Sequence, residues 1–293
     1  MPENKHNTPL SPPVCHEVAV LSLDRRPFSE LESNELFTLR LRAPEWESWL
    51  PGQFVMIRPH KVTRPDVFWA RPFSISKADK EELRIVFQVA GRGTRELLEL
   101  ERGESVTLWG PLGNGFAVSQ QGPTLLLAGG IGIAPFLGYI EKHPTPEILR
   151  LEFGHKRPLA CYPFAECRDA HAHRAEGLFP ARSHHETCPE DLTTFMAAIS
   201  DAIRDNAARN GLVLACGPMP FLQSVQRFAL QYGARAQLSL ETRMACGVGA
   251  CLGCVVKKTS HDNHKSIAPQ AFDYVQTCTN GPVFWADQLD LAE

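Results

Sequence analysis

Cys246, Cys251 and Cys254 follow a Cys-x4-Cys-x2-Cys rhythm, and Cys278 stands downstream as a fourth thiol. Four thiolates in this spacing can hold a plant-type 2Fe-2S centre. Gly247 and Gly249 lie inside the x4 loop, where a missing Cβ lets the chain turn tightly and bring N–H groups to the sulfurs. Such hydrogen bonds help set a cluster's potential. Zinc is the competing occupant, because Cys-x2-Cys alone is a common zinc pattern. Zinc sites usually pair two short dyads, however, and no second dyad accompanies Cys278. Unliganded structural thiols are a third reading, which three cysteines within nine residues disfavour. A 2Fe-2S centre exchanges one electron at a time, so the rest of the chain has to supply what fills and empties it.

The chain has 293 residues, 43% hydrophobic and 22% charged, which suits two or three globular units. A formal net charge of -3 gives no support for nucleic-acid binding. Residues 1–13 are polar and proline-containing and read as a flexible tail. The longest apolar run, 124–140, is interrupted by four glycines and a proline and is too short to span a bilayer. Nine cysteines without a secretion signal point to a reducing cytoplasm, where thiols serve metals.

From Val14 to about Phe116, short β runs alternate with turn residues, as in a small antiparallel barrel. Arg71-Pro72-Phe73-Ser74 places a guanidinium and a hydroxyl on one extended segment, and a guanidinium presents several fixed donors to phosphate oxygens. In isolation this would be a surface strand with a solvated arginine. Gly91-Arg92-Gly93-Thr94 follows, a glycine turn opening a short helix, which is a second device for an anion. Two such devices in one barrel suggest one phosphate-bearing ligand.

Thr124 to Ala128 is a wholly apolar strand of the kind buried in parallel sheets. It runs into Gly129-Gly130-Ile131-Gly132-Ile133-Ala134-Pro135, where glycines between strand and helix allow a pyrophosphate to approach the backbone. The motif falls short of the full Gly-x-Gly-x-x-Gly fingerprint. Strand and helix signals then alternate, with helices expected over 192–208 and 221–231. A second strand-to-helix turn occurs at Cys216-Gly217-Pro218. This alternation implies a doubly wound sheet with its ligand at the carboxyl ends of the strands. Between the two turns, Cys161, Cys167, His171, His173, His184, His185 and Cys188 match no standard metal spacing. The segment is expected to be a solvated loop.

The Arg-Pro-x-Ser strand followed by Gly-Thr resembles the ferredoxin–NADP reductase-like superfamily, in which these segments bind FAD and a Cys-Gly-Pro turn lies beside the nicotinamide. Cys216 as a plain core thiol is the alternative at that position. The text Ser239-Leu240-Glu241-Thr242-Arg243-Met244-Ala245-Cys246 through Cys254, and then Cys278-Thr279-Asn280-Gly281-Pro282-Val283-Phe284, resembles the electron-transfer subunits of bacterial dihydroorotate dehydrogenase B. The likeness runs from about Val14 to Leu289. It implies a multidomain β and α/β fold: an antiparallel FAD-binding β-barrel over 14–118, a doubly wound NAD-binding α/β domain over 119–238 and a small 2Fe-2S domain over 239–293.

The resemblance also implies Cys246, Cys251, Cys254 and Cys278 as cluster ligands. It implies Arg71, Pro72, Phe73, Ser74, Val86, Phe87, Gln88, Gly93 and Thr94 as FAD contacts. Gly129, Gly130, Gly132, Cys216, Gly217 and Pro218 would meet NAD(H), a diffusible co-substrate. The expected partner is a separate FMN-containing catalytic subunit that oxidises dihydroorotate for pyrimidine biosynthesis, in a heterotetramer of two of each. No catalytic acid, base or nucleophile is needed here. A flavin and iron–sulfur subunit of an NAD(P)H:ferredoxin oxidoreductase or sulfide dehydrogenase is the alternative. The chain departs from the family in two places. Residues 257–277 form a longer excursion carrying His261, Asp262, His264 and Lys265, expected to be a solvated loop. Arg168 to His173 replaces an Asp-Gly-Ser-like run after the third strand of the nicotinamide unit.

Overall fold

The first hundred residues alternate β-branched and aromatic positions with turns, and they form strands β1 (Val14–Arg25), β2 (Leu36–Arg42), β3 (Phe54–Pro59), β4 (Arg71–Ser74), β5 (Lys77–Ala78) and β6 (Glu82–Gln88). Helix α1 (Arg92–Glu96) and strand β7 (Ser105–Leu112) complete this unit. The computed structural model describes residues 13–26, 35–61, 69–119, 122–259 and 274–291. Of the expected tail, 1–12 lie outside the described residues, as do His261, Asp262, His264 and Lys265 of the later excursion. The seven strands make one sheet in the order β4-β3-β7-β1-β2-β6-β5. Phe73 on β4 meets Phe87 on β6 edge-on at 5.7 Å, so the sheet curls until its two ends share a core. Val55, Ile57, Leu39, Leu41, Ile85 and Leu108 fill that core.

The second unit is built on β8 (Thr124–Gly129), α2 (Ala134–Lys142), β9 (Leu149–His155), α3 (Phe164–Ala172), β10 (Ala181–His185), α4 (Pro189–Ala208), β11 (Leu212–Cys216), α5 (Met219–Gln231) and β12 (Arg235–Ser239). β8 is buried along its whole length, as a central parallel strand covered on both faces should be. α2 and α3 pack on the sheet face towards the barrel, with Phe116 in the same core, and α4 and α5 cover the other face. Both long helices begin earlier than the apolar periodicity suggests. Each takes a proline in its first turn, where a missing N–H costs nothing.

The Cys/His-rich segment is not a solvated loop. Phe164, Cys167, Ala170 and His171 lie on one face of α3 and are buried. Cys161 and Cys167 belong to the same apolar core as Phe153 and Tyr162. The helical spacing was present in the sequence, but the intervening Arg, Asp and His residues on the exposed face concealed it. The run Arg168 to His173 accordingly sits largely inside α3, and the third strand ends instead at His184 and His185.

The carboxyl-terminal segment contributes β13 (Val255–Lys257), β14 (Tyr274–Gln276), α6 (Thr277–Asn280) and β15 (Val283–Trp285). β13 and β14 pair with each other, whereas β15 adds antiparallel to β12 and so extends the six-stranded sheet β10-β9-β8-β11-β12-β15. Asn114, just past β7, ties this segment to the barrel. Its amide donates to Val283 O at 2.7 Å and accepts from Val283 N at 3.0 Å. The barrel and the α/β unit are joined directly as well. Arg26 donates to Cys161 O, Thr38 Oγ1 and Glu166, and buried Ser76 donates to Ala134 O at 2.9 Å.

Candidate functional site: a cysteine loop seated on the barrel

Cys246 to Cys254 form a loop whose backbone turns around one sulfur. Gly247 has φ +72°, Gly249 φ +84° and Leu252 φ +57°, the left-handed region that costs little only for glycine. These reversals aim the N–H groups of Val248 and Cys251 at Cys246 Sγ, at 3.5 and 3.4 Å, and successive N–H groups of this kind make a concave site for negative charge. Burial alone would raise the Cys246 thiol. The Val248 and Cys251 N–H groups, the Cys251 thiol and the Ala250 N–H outweigh it and bring Cys246 down to about 7. The Cys251 sulfur stands 3.3 Å from that of Cys246.

Cys254 and Cys278 form the other half, and both are buried. Thr277, at the start of α6, donates to Cys254 O through its backbone N–H at 3.0 Å and its hydroxyl at 2.8 Å, which brings its neighbour Cys278 alongside. Burial and the adjacent Cys254 thiol push Cys278 up to about 12. Gln276 closes the loop by donating its side-chain amide to Gly249 O at 2.7 Å. Cys246 thus stands beside Cys251 and Cys278 beside Cys254, and Cys278 also meets the Gly249 N–H and the charge of Cys246, so the four thiols face one another. Among the described residues, no group of three or more His, Cys, Asp or Glu converges on a single ion. Four cysteines at this spacing suit an iron pair bridged by sulfide.

The loop rests on the outer face of the barrel. Phe54 and Met56 of β3 point outward while Val55 and Ile57 point into the barrel, and the outward pair shares an apolar cluster with Ala70, Leu112, Cys254 and Cys278. A Cβ on Gly247 would lie 2.6 Å from Met56 Cγ, so only glycine allows this approach. Trp109 of β7 donates its indole N–H to Cys246 O at 3.1 Å. Met56, Trp109, Gln276 and Thr277 were not singled out from the sequence. The one available signal was the unbroken apolar run Phe54-Val55-Met56-Ile57, which a strand needs when both its faces are covered.

The two anion devices of the barrel meet. β4 lies against β3 with Arg71 opposite Ile57, Phe73 opposite Val55, and Ser74 opposite Phe54. A Cβ on Gly93 would stand 2.3 Å from Arg71 Nε, so the glycine turn and the guanidinium share one spot. Arg71 is steadied by donating to Trp69 O at 2.7 Å and Ala70 O at 3.2 Å. Thr94 Oγ1 accepts from the N–H groups of Ala90 and Gly91 and donates to Gly91 O, so this hydroxyl shapes the turn. Phe73 and Phe87 point into the core, leaving only their backbone to a ligand. Pro72 and Ser74 face outward with Met56 and Phe54. Val86 is buried and pairs with Thr38, and Gln88 is half-buried.

In the α/β unit the two glycine turns lie side by side at the carboxyl ends of adjacent parallel strands, Ala128 pairing with Cys216. A Cβ on Gly132 would sit 2.2 Å from Cys216 O, and one on Gly217 3.1 Å from Gly129 Cα. Gly130, at φ +55°, instead faces open space, with no atom of another described segment within 4 Å of where its Cβ would be. Pro218 packs against Gly129. Burial pushes the Cys216 thiol up to about 12 despite a hydrogen bond with Ser239, so it is neutral near pH 7. Three residues beyond Ser239, Thr242 keeps a buried hydroxyl with no hydrogen-bond partner among the described residues, on the stretch leading from this turn to Cys246.

Residues 241–290 match the family model described as the iron-sulfur cluster binding domain of dihydroorotate dehydrogenase B. The electron transfer subunit of dihydroorotate dehydrogenase B (NAD(+)) from Caldanaerobacter subterraneus is 33% identical over 239 residues, covering 82% of this chain and 86% of that one. Its counterpart from Lysinibacillus sphaericus is 30% identical over 258 residues, 86% and 91% of the two chains. Among solved structures, an NADH-dependent reduced ferredoxin-NADP oxidoreductase studied for flavin-based electron bifurcation superposes with a TM-score of 0.71 at 21% identity, over 97% of this chain and 91% of that one. Ferredoxin-NADP+ reductase from Plasmodium falciparum gives 0.58 at 13% identity over 74% and 90%. The structures share the fold, and the sequence relatives narrow it further: the chain belongs to the family of electron-transfer subunits of dihydroorotate dehydrogenase B.

Proposed function

We propose that this chain carries electrons between a partner's FMN and NAD through FAD on the barrel and a 2Fe-2S centre on Cys246, Cys251, Cys254 and Cys278. FAD supplies the conversion between the two-electron hydride of the nicotinamide and the single electrons an iron pair accepts. Arg71 and the Gly91–Thr94 turn take the diphosphate, Ser74 the flavin side, and the backbone of Val86 to Gln88 the remainder. Gly130 and its neighbours take the pyrophosphate of NAD(H), and Cys216-Gly217-Pro218 the nicotinamide. Cys216, neutral, lines that site without exchanging a proton.

The observation that carries this reading is the seat of the cysteine loop. It packs on the outer face of β3, one strand away from Arg71–Ser74, through Met56 and Trp109. The redox groups would then be separated by a single layer of packed side chains.

The partner is an FMN-containing subunit that oxidises dihydroorotate, in an assembly of two copies of each chain. Val248, Leu252, Val255 and Tyr274 are exposed apolar residues on or beside the cysteine loop, and apolar side chains gathered at one exposed place mark a contact surface. No helix of the described residues is long and apolar enough to cross a membrane. A cytoplasmic setting accords with nine free cysteines.

The test is anaerobic purification, alone and with the FMN-containing partner. Flavin absorbance bleached by NADH, two irons per chain, and dihydroorotate-dependent NAD reduction only in the complex are the expected results. A colourless zinc-loaded protein, or a complex that never couples dihydroorotate to NAD, would refute the proposal. Arg71→Ala should release most of the FAD while leaving the iron in place, as read from flavin and iron per chain.

A further inference from the structure

A row of side chains on the outer face of β4, β3 and β7 joins the Arg71–Ser74 segment to the cysteine loop. Pro72 stands opposite Met56, and Met56 opposite Trp109; opposed residues of an antiparallel pair project from the same face. Met56 is fully buried, yet Val55 and Ile57 are the β3 residues that fill the barrel. Its burial comes from the loop. The position of a Cβ on Gly247 is 2.6 Å from Met56 Cγ and 3.0 Å from its Sδ, so the thioether lies on the backbone beside Cys246. Trp109 pins the same place through Cys246 O at 3.1 Å.

We propose that Met56 is a positioning residue for electron exchange, the spacer that holds the cysteine loop at a fixed separation from the flavin-bearing strand. This rests on the cofactor reading above. With both groups in place, the exchange would move one electron from reduced flavin to the iron pair, with no bond made or broken in the protein. The rate therefore depends on separation and on contact through packed atoms. An unbranched thioether fills the uneven gap between a proline ring and a glycine backbone without forcing either to move.

The experiment compares Met56→Ala, Met56→Val and Met56→Leu as full-length protein carrying FAD and iron. Met56→Ala changes neither a cysteine nor Arg71, so FAD and iron per chain should match wild type. After flash reduction of the flavin, transfer to the iron centre should slow about tenfold or more. The EPR line shape of the reduced centre should also change, because Cys246 loses its support. Met56→Leu conserves volume and should recover both readouts to within about twofold. Wild-type transfer and line shape in a fully loaded Met56→Ala overturns the proposal, as does a Met56→Leu protein that recovers neither. If Met56→Ala does not retain its cofactors, the order Leu faster than Val is the expected result, and equal rates overturn it. A wild-type chain that takes up no flavin or no iron removes the cofactor reading and this inference together, whereas normal loading with an indifferent Met56→Ala removes the inference alone.

Discussion

Two stretches of this chain are rich in the same ligand-type residues and have opposite fates. In 245–255, glycines at positive φ leave no side chain between the backbone and Cys246, and N–H groups turn inward to the sulfur. In 161–188, apolar residues recur at helical spacing, so Cys161 and Cys167 enter a core with Phe153, Tyr162 and Phe164. A thiol becomes a ligand where the neighbouring backbone can stabilise its charged form. It becomes a small hydrophobe where its neighbours exclude water. Burial pushes the Cys167 thiol up strongly, whereas N–H donors bring Cys246 down to about 7.

The largest effect should come from removing one of the four thiols proposed to hold the cluster. Cys254→Ser is expected to abolish the visible absorbance of the cluster and to reduce iron per chain to near zero; retention of the wild-type chromophore would break the contrast. Gly247→Ala comes next. It forces an alanine to φ +72° and drives its methyl into Met56, a cost of at least about 1–2 kcal/mol for the backbone alone. A shorter anaerobic half-life of the cluster should record it, with FAD content unchanged.

In the other stretch, Cys167→Ser should leave iron content untouched and lower global stability by about 1–3 kcal/mol, the usual cost of a buried hydroxyl without a partner, seen as an earlier urea midpoint. Loss of iron in that variant would show that the two regions are not independent. The smallest effect concerns Glu152, a buried carboxylate that accepts from His184 at 2.8 Å and from Arg150. Burial would raise its pKa, but the hydrogen bonds from His184 and Arg150 and the Arg150 charge outweigh that and hold it below its ordinary 4.5. A carboxylate depressed in the folded state adds stability that is complete above 4.5 and is lost as the pH falls through its folded value. Glu152→Gln should therefore be less stable than wild type by on the order of 1 kcal/mol near pH 7, and the gap should narrow as the pH falls below 4.5 towards the folded value. Thermal unfolding across that range, with cluster absorbance unaffected at neutral pH, is the measurement.

The barrel and the doubly wound sheet were legible because period-2 and period-3.6 patterns are local properties of the chain. The strand Thr124 to Ala128 with its glycine turn, and the second turn at Cys216-Gly217-Pro218, stand where alternation of strand and helix requires. α3 was not legible. Its buried face is only four residues wide, and Arg168, Asp169 and His173 lie between or beside them. The membership of β15 in the α/β sheet was hidden for another reason: Gln237, Leu238 and Ser239 meet Trp285, Phe284 and Val283 across more than forty residues of chain.

What the sequence by itself determined was the spacing of the four thiols and the glycines set between the first two. Ligation and loop conformation depend on cysteines a few residues apart and on glycines between them, and no distant contact is needed to read either. The tertiary structure alone decided where that loop sits: Met56 and Trp109 face it only because β3 and β7 are neighbours and their outer face is not claimed by the barrel core. It likewise decided that Gly93 meets Arg71 and that Cys216 lies under Gly132, since pairs so far apart in the chain are brought together by packing and not by spacing.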